Sequence, residues 1–483
     1  MSVQIDSDTT ILKLFLGIGV AVILFAGPYL LERLSELRLS RNLISRYPIA
    51  NEKWDAEAKK KLATSAETII KHGVALARGN PFLLNDKSAT RLIIPPKYIE
   101  EIKNDKRLDF HGYVSKQFFS TYPGFDVFNV DQTIFQPAVR VHLTQALTLT
   151  VEPLAKEAPN MLKLVYGDAP DWKETVLISS LLKAVSRLTS LIFLGEKFMN
   201  CPEWQQISVM YTVDAFMAAT ALNNWPAPVR PFVHWFLPEC RKLRQEVKAA
   251  RAFITPEVDR RRKELAMNAG KPRKKVLDSI DCYTLGFAMS DLAEHPEYVD
   301  TLREEIKSAY TEEGKWEKTT LFKLRFMDSF LKESMRYHPH TLFTMPRQAK
   351  TNITLSDGTM IPNNTILAIG PLLMSDSNVF PNADKFDPYR FLKLRETPGA
   401  ENKHQFVTTS PEIIVFGHGH HACPGRFFAS NEIKILLAHM IMHYDWKLPE
   451  GQKSIQHNMN GTGRSPNSRQ SILYRSRKPV VEM

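Results

Sequence analysis

Cysteine is scarce in this sequence, with four residues in 483, at positions 201, 240, 282 and 423. So few and so widely spaced cysteines exclude a disulfide framework and fit a catalytic domain in a reducing compartment better. The chain also lacks a repeat period, a low-complexity tract and any long run of like charge, which excludes solenoid and disordered proteins. Hydrophobic residues (43%) and charged residues (24%) are present in ordinary globular proportions.

Negative charge is in deficit. Lysine and arginine (63) outnumber aspartate and glutamate (52), which gives a formal net charge of +11. An excess of this size indicates an acidic partner, an anionic membrane surface, or simply a well-solvated surface. Net charge alone does not decide among the three.

A long apolar run stands near the N-terminus, "ILKLFLGIGVAVILFAGPYLL" (Ile11–Leu31). Its length matches the roughly 20 residues that cross a bilayer, and no small-residue cleavage site follows it, so it predicts an uncleaved anchor. A buried core helix is the alternative. By the positive-inside rule, the arginines that follow place residues 1–10 in a lumen and the rest of the chain in the cytosol. These arginines are Arg33, Arg38, Arg41 and Arg46.

The remaining chain predicts mainly α structure with a minor antiparallel β region. Residues 32–51 form a basic linker in which Pro48 breaks any helix. From Val141 to Met267 apolar residues recur at steps of three and four, which predicts helices. Alternation around Asp357-Gly358 in "NITLSDGTMIPNNTILAI" predicts a hairpin, and "FFASNEIKILLAHMIMHY" predicts a helix again. No break in composition divides residues 52–483, so we treat them as one unit.

The stretch "FGHGHHACPGRFFA" (Phe416–Ala429) concentrates histidine, cysteine and glycine. Zinc is one interpretation, because histidine and cysteine are its usual ligands. The spacing argues against zinc: His418, His420, His421 and Cys423 crowd one short loop, and no second cluster completes a tetrahedral site.

The other interpretation makes Cys423 the one important ligand. Gly417 and Gly419 would let the backbone pass close beneath a flat cofactor. Pro424 and Gly425 then turn the chain into a helix, whose free N–H groups and dipole stabilise a nearby anion. These features suit one buried thiolate facing a haem iron, the ligation that favours O–O cleavage.

The stretch resembles the haem-binding signature of the cytochrome P450 family, Phe-(Gly/Ser)-x-Gly-x-(Arg/His)-x-Cys-x-Gly. The fixed positions are filled by Phe416, Gly417, Gly419, His421, Cys423 and Gly425. The resemblance implies a cytochrome P450 fold over 52–483 behind the transmembrane anchor at 11–31. It also implies haem b ligated by Cys423, with His421 donating to a haem propionate. His418 and His420 receive no role.

Two further stretches resemble the same family. Glu333-x-x-Arg336 in "MDSFLKESMRYHP", together with Arg390 in "FDPYRF", would form the family's buried structural triad. Breaking such a triad leaves an unpaired buried charge. In "TLFTMPRQAK", Arg347 stands where the family places an arginine on the other haem propionate.

The family's activity is insertion of one oxygen atom from O2 into an apolar substrate. The chain shows no flavin or nicotinamide fingerprint, so the resemblance implies electrons from NADPH through a separate membrane-bound reductase, at the endoplasmic reticulum membrane. No nucleic-acid partner is expected. Segments such as "IEEIKNDKRLDFHGYV" look like the filamentous-fungal branch that oxidises terpenoid and meroterpenoid intermediates of secondary metabolism.

The pattern fails at the distal helix, which in the family carries (Ala/Gly)-Gly-x-(Asp/Glu)-Thr. The chain has "GKPRKKVLDSIDCYTLGFAMS" there, too short by several turns, and Asp281 and Thr284 are not assigned that role. One explanation is an altered member that binds haem but is inactive as a monooxygenase or catalyses a redox-neutral rearrangement. The other, which we favour, is a transcript or gene model lacking an in-frame piece between about Lys275 and Asp281. Natural cores tolerate the loss of part of a packed central helix badly.

Overall fold

The computed structural model describes residues 34–51, 56–86, 90–130, 137–267, 280–479 and 481. The predicted lumenal segment 1–10 and anchor 11–31 lie outside these ranges. Within them one helix, Leu177–Leu194, is long and apolar enough to cross a membrane. Of its 18 residues 67% are buried, which is typical of a core helix.

Sixteen α-helical segments of four residues or more are found in the described ranges. They are α1 (residues 34–46), α2 (Ala56–Ala77), α3 (Ile99–Ile102), α4 (Phe110–Gln117), α5 (Leu147–Tyr166), α6 (Leu177–Leu194), α7 (Glu196–Met199), α8 (Pro202–Asn223), α9 (Arg230–Val233), α10 (Pro238–Met267), α11 (Ile280–Glu294), α12 (Val299–Glu313), α13 (Lys318–Lys323), α14 (Arg325–Tyr337), α15 (Arg390–Arg395) and α16 (Arg426–His443). Helix α1 ends before Pro48, as the sequence predicts.

The strands are few and short. They are β1 (Phe82–Asn85), β2 (Thr90–Ile94), β3 (Leu108–Asp109), β4 (Lys173–Val176), β5 (Thr344–Ala349), β6 (Ile353–Thr354), β7 (Met360–Ile361), β8 (Ile366–Ile369), β9 (Tyr444–Lys447), β10 (Asn458–Asn460), β11 (Gly463–Ser465) and β12 (Ser471–Ser476). They form a five-stranded sheet in the order β1-β2-β8-β5-β3, a three-stranded sheet β4-β12-β9, and the pairs β6-β7 and β10-β11.

The prediction of mainly helical structure with a minor β region is confirmed. The hairpin predicted at Asp357-Gly358 is β6-β7, and Gly358 takes the left-handed φ of +85° that its turn requires. The named strands pair antiparallel, as predicted, except that β2 and β8 run parallel. Parallel neighbours need a long crossover connection, and most of the chain lies between these two strands.

Two core clusters determine where the cysteine loop lies. The larger is built by α5, α6, α11, α14 and α16, and the second lies on the five-stranded sheet. Ile414 belongs to the sheet cluster and Phe416, two residues on, to the helical cluster. The loop that follows is therefore fixed between both cores.

Candidate active site

The cysteine loop is closed by its own backbone. The Cys423 N–H donates to the Phe416 carbonyl at 2.7 Å, and the Ala422 N–H donates to the Gly419 carbonyl at 3.1 Å. Helix α16 begins at Arg426 with Gly425 as its N-cap residue, so the half-buried Cys423 stands two positions before the cap. The thiol thus lies at the positive end of a helix, where an anion is favoured.

The structure gives a reason for the glycines of this loop that could not be predicted from the sequence. Gly417 and Gly419 both take left-handed φ values, +70° and +73°. A Cβ on Gly419 would lie 2.7 Å from the Cβ of Lys103 and 2.8 Å from its carbonyl oxygen. The loop therefore needs glycine for its approach to the turn after α3, where the His420 N–H also donates to Asn104 Oδ1 at 2.7 Å.

Arg347 and His421, predicted to hold propionates, lie on the same aromatic ring. The Arg347 guanidinium carbon is 5.3 Å from the centroid of the Phe110 ring, and the His421 ring centroid is 6.1 Å from that centroid. Arg347 is 3% exposed, and its Nη1 donates to the Pro346 carbonyl at 2.7 Å.

Both side chains are held in surroundings that disfavour positive charge. Burial lowers the pKa of Arg347 to about 10. Burial, and then the charge of Arg347, lower the pKa of His421 to about 4. Two carboxylates at this place would stabilise the protonated forms of both Arg347 and His421. The donor set therefore fits the two carboxylate groups that a haem would bring.

The loop histidines do not converge on one point. His418 Nδ1 lies 3.0 Å from Thr409 Oγ1 and its Nε2 lies 3.3 Å from Glu100 Oε1, whereas His421 faces Phe110. Across the described residues no group of three His, Cys, Asp or Glu side chains is arranged to hold a metal ion. The geometry of this part of the chain gives the zinc interpretation no support.

Glu333, Arg336 and Arg390 are brought together as the resemblance implied. Arg336 donates to both carboxylate oxygens of Glu333 at 2.8 Å, and Arg390 Nε lies 3.1 Å from Glu333 Oε2. Glu333 is 0% and Arg336 1% exposed. Arg336 also donates to the carbonyls of Met374 and Ala383, so the cluster ties α14 to the segment that precedes α15.

A second buried charge cluster on α14 was missed by the sequence analysis. Asp328 accepts from Lys434 Nζ at 2.5 Å, from the Phe406 N–H at 2.7 Å and from Arg395 Nη1 at 3.3 Å. Lys332, one turn on, donates to two backbone carbonyls. From sequence, charges at this spacing are typical of a solvated helix face, and no local signal separates the two cases.

On the distal side, the structure describes α11 from Ile280, and residues 268–279 lie outside the described ranges. Thr284 is fully buried, with Oγ1 3.4 Å from His340 Nε2. At the far end of α11, Asp291 Oδ1 lies 2.8 Å from His338 Nε2. The side chain of Asp281 is not among those described, so nothing is added to its unassigned role.

These features are shared with known proteins. The sequence model of the family Cytochrome P450 matches residues 282–472. The cytochrome P450 monooxygenase hepE of Aspergillus oryzae is 37% identical over 459 aligned positions, which cover 88% of this chain and 83% of hepE. The cytochrome P450 monooxygenase ptmU of Penicillium ochrochloron is 33% identical over 509 positions, with 98% and 97% covered. The chain belongs to the cytochrome P450 family of monooxygenases, a membership that implies a haem held by a cysteine thiolate.

The same alignments show that this chain is shorter than its relatives internally. The 509 positions aligned with ptmU take in 98% of 483 residues, about 473, so about 36 positions fall opposite no residue of this chain. The alignment with hepE has 459 positions and takes in 88% of this chain, about 425 residues, so about 34 positions fall opposite no residue of this chain. A deficit of this size is what a missing internal piece predicts, although the figures do not say where it falls.

Proposed function

We propose that this chain is a monooxygenase in which Cys423 is the proximal ligand of haem b and one oxygen atom of O2 enters an apolar substrate. The observation that carries the proposal is the position of Cys423, closed into its loop by Phe416 and placed before the first turn of α16. When bound, a haem with this ligation supplies the activation of dioxygen.

The protein residues then have separate tasks. The N-terminus of α16 stabilises Cys423 as a thiolate. Arg347 and His421 would hold the two haem carboxylates and so fix the orientation of the ring. The triad of Glu333, Arg336 and Arg390 holds α14 in place behind the loop and contacts no reacting group.

We infer an electron supply from NADPH through a separate reductase, with the positive net charge of +11 favouring an acidic docking face. Raising the ionic strength is expected to slow reduction of the protein, because salt screens such an encounter. Reduction kinetics that do not depend on salt would contradict this.

We also infer residence at the endoplasmic reticulum membrane, with a single anchor at 11–31 and the catalytic domain in the cytosol. A second feature supports contact with a membrane. The segment from 225 to 236 exposes five large apolar side chains to 37–74%, a density that soluble surfaces rarely show. They are Trp225, Val229, Phe232, Trp235 and Phe236.

The substrate class we propose is a terpenoid or meroterpenoid intermediate of fungal secondary metabolism. Its support is the resemblance of segments such as "IEEIKNDKRLDFHGYV" to that branch of the family, and the filamentous-fungal origin of the relatives. A screen of such compounds with reductase, NADPH and O2 tests it. Product that forms without NADPH and O2 would contradict the monooxygenase proposal and favour a rearrangement.

The first test is the carbon monoxide difference spectrum of the reduced protein, expressed in membranes. A long-wavelength Soret band is expected for the wild type and for Cys201→Ala, a half-buried cysteine outside the loop. Cys423→Ala is expected to lose that band. A short-wavelength band in the wild type, or a band that survives Cys423→Ala, would overturn the proposal.

A further inference from the structure

Lys332 is a buried cation with no part in the haem site as described above. It is 3% exposed on the buried helix α14. Its Nζ donates to the carbonyl of Gln405 at 2.7 Å and to that of Thr408 at 2.8 Å. Burial lowers its pKa to about 8, so an ammonium group at this place is costly and its two hydrogen bonds matter more than they would in water.

The two carbonyls belong to one tight turn. The Thr408 N–H donates to the Gln405 carbonyl at 2.9 Å, which closes the turn over residues 405–408. Lys332 therefore binds the first and the last carbonyl of the same turn. Without the ammonium group, the half-buried Thr408 carbonyl would lose its side-chain partner, which costs free energy.

Two chains of contacts run from this turn to the backbone of Cys423. In the first, the Val407 carbonyl accepts from Arg426 Nε at 3.2 Å, and Arg426 Nη1 donates to the Cys423 carbonyl at 2.7 Å. In the second, the Phe406 ring packs edge-on against Phe416, with centroids 5.6 Å apart, and the Phe416 carbonyl accepts the Cys423 N–H. The turn thus touches both backbone polar groups of the cysteine through one intermediate residue each.

The geometry points to Lys332 as a positioning residue for Cys423, which holds the 405–408 turn and through it the height of the thiolate beneath the cofactor. This inference rests on the proposed role of Cys423. A small cavity between Lys332, Met335, Phe406, Thr408 and Phe416 lies beside the turn. The cavity provides space into which the turn can move when the ammonium group no longer holds it.

Lys434 supplies a matched control. It is equally buried (5% exposed), and its Nζ donates to Asp328 and to the Leu321 carbonyl. It belongs to the same helical core and binds neither carbonyl of the turn; its only link to the turn among the described contacts is Asp328, which also accepts from the Phe406 N–H. Lys332→Met and Lys434→Met each remove one buried ammonium group of the same size, so a merely structural role predicts similar behaviour for both.

The experiment follows the carbon monoxide spectrum of the reduced, haem-loaded proteins over time, as the long-wavelength band converts to the short-wavelength one. Lys332→Met is expected to convert at least about tenfold faster than the wild type and Lys434→Met, since two charge-assisted hydrogen bonds are lost and about 1.4 kcal/mol corresponds to tenfold in rate. Equal rates in the two variants would overturn the inference while leaving the proposed function intact. A wild type without the long-wavelength band would overturn both.

Arg426→Met keeps the inference testable if Lys332→Met fails to load haem. It cuts the first chain of contacts and leaves Lys332 in place. Conversion is expected to accelerate in this variant as well, and by less, because the contact of Phe406 with Phe416 remains. An Arg426→Met protein that converts at the wild-type rate would show that the turn does not position Cys423 through Arg426.

Discussion

The helices α14 and α11, one on each side of the candidate site, differ in how completely the buried charged groups around them are paired. On the proximal side, α14 buries Asp328, Lys332, Glu333 and Arg336, and each of them has hydrogen-bond partners. On the distal side, around α11, three buried polar atoms have no hydrogen-bond partner among the described residues. They are Asp291 Oδ2, His340 Nδ1 and His457 Nδ1.

The difference shows on which side the buried charged groups find their hydrogen-bond partners within the described residues. Buried polar groups are normally paired, and an unpaired one costs free energy. The buried charged side chains of α14 are paired, whereas Ser334 Oγ on the same helix has no hydrogen-bond partner among the described residues. The three unpaired atoms belong to Asp291, near the C-terminal end of α11, and to two histidines that pack against Phe287 of the same helix.

The largest expected effect comes from completing the distal side. If the missing piece lies there, as the sequence analysis predicts, we expect replacement of residues 268–279 by the segment that hepE or ptmU has at this place to raise the NADPH- and O2-dependent rate roughly a hundredfold or more, because positioned proton donors contribute about 10²–10⁴-fold. The measurement is product formed, together with the share of NADPH lost to hydrogen peroxide. A graft that loads haem without any gain would identify a genuinely altered member.

The next largest effect tests the proximal side. Glu333→Gln leaves the guanidinium groups of Arg336 and Arg390 without their shared carboxylate. The expected loss in the free energy of unfolding is about 3–5 kcal/mol, measured with urea. Glu67→Gln is the control: its pair with Arg464 is half exposed, so it should cost less than about 1 kcal/mol. Equal losses would mean that the triad is not a stabilising element.

His439 in α16 is an exception on the proximal side, as is Ser334 Oγ on α14. His439 is fully buried, neither ring nitrogen has a hydrogen-bond partner among the described residues, and burial lowers its pKa to about 3. The unfolded chain, with an ordinary pKa near 6.5, takes up a proton first as the pH falls. Stability is therefore lost below about pH 6.5, by about 2 kcal/mol at pH 5.

His439→Leu removes that loss. The variant is expected to gain about 2 kcal/mol on the wild type between pH 7.5 and pH 5, measured as the difference in their free energies of unfolding. His443, which stacks on His439 and is partly exposed, gives the comparison variant His443→Leu. A difference between wild type and His439→Leu that is the same at both pH values would refute the assignment.

The smallest effect is expected at Asp291. Asp291→Asn retains Oδ1, which lies 2.8 Å from His338 Nε2, and replaces the oxygen that has no partner. We expect a loss of about 1 kcal/mol in the free energy of unfolding, well below that of Glu333→Gln. A loss as large as the latter would erase the contrast between the two sides.

Local patterns predicted a large part of this structure. The helices, the hairpin at Asp357-Gly358 and the stretch around Cys423 all follow from patterns among residues that are neighbours in the sequence. The cluster of Asp328, Arg395 and Lys434 is not, because its members lie up to 106 positions apart and each is unremarkable in its own segment. The clearance that Gly419 gives to Lys103 likewise depends on a contact across most of the chain.

The parallel pairing of β2 with β8 has a consequence for how the chain acquires its shape. This pairing joins Arg91–Ile94 to Ile366–Ile369. In the same way β4, near residue 175, cannot pair until β12, near residue 473, has been synthesised. At about 5–20 residues per second, roughly 15–55 s of synthesis separate β2 from its neighbour. Pairings between such distant segments also form slowly. The nascent chain must therefore keep apolar strands shielded until it is nearly complete, and the pocket for a cofactor cannot exist before then.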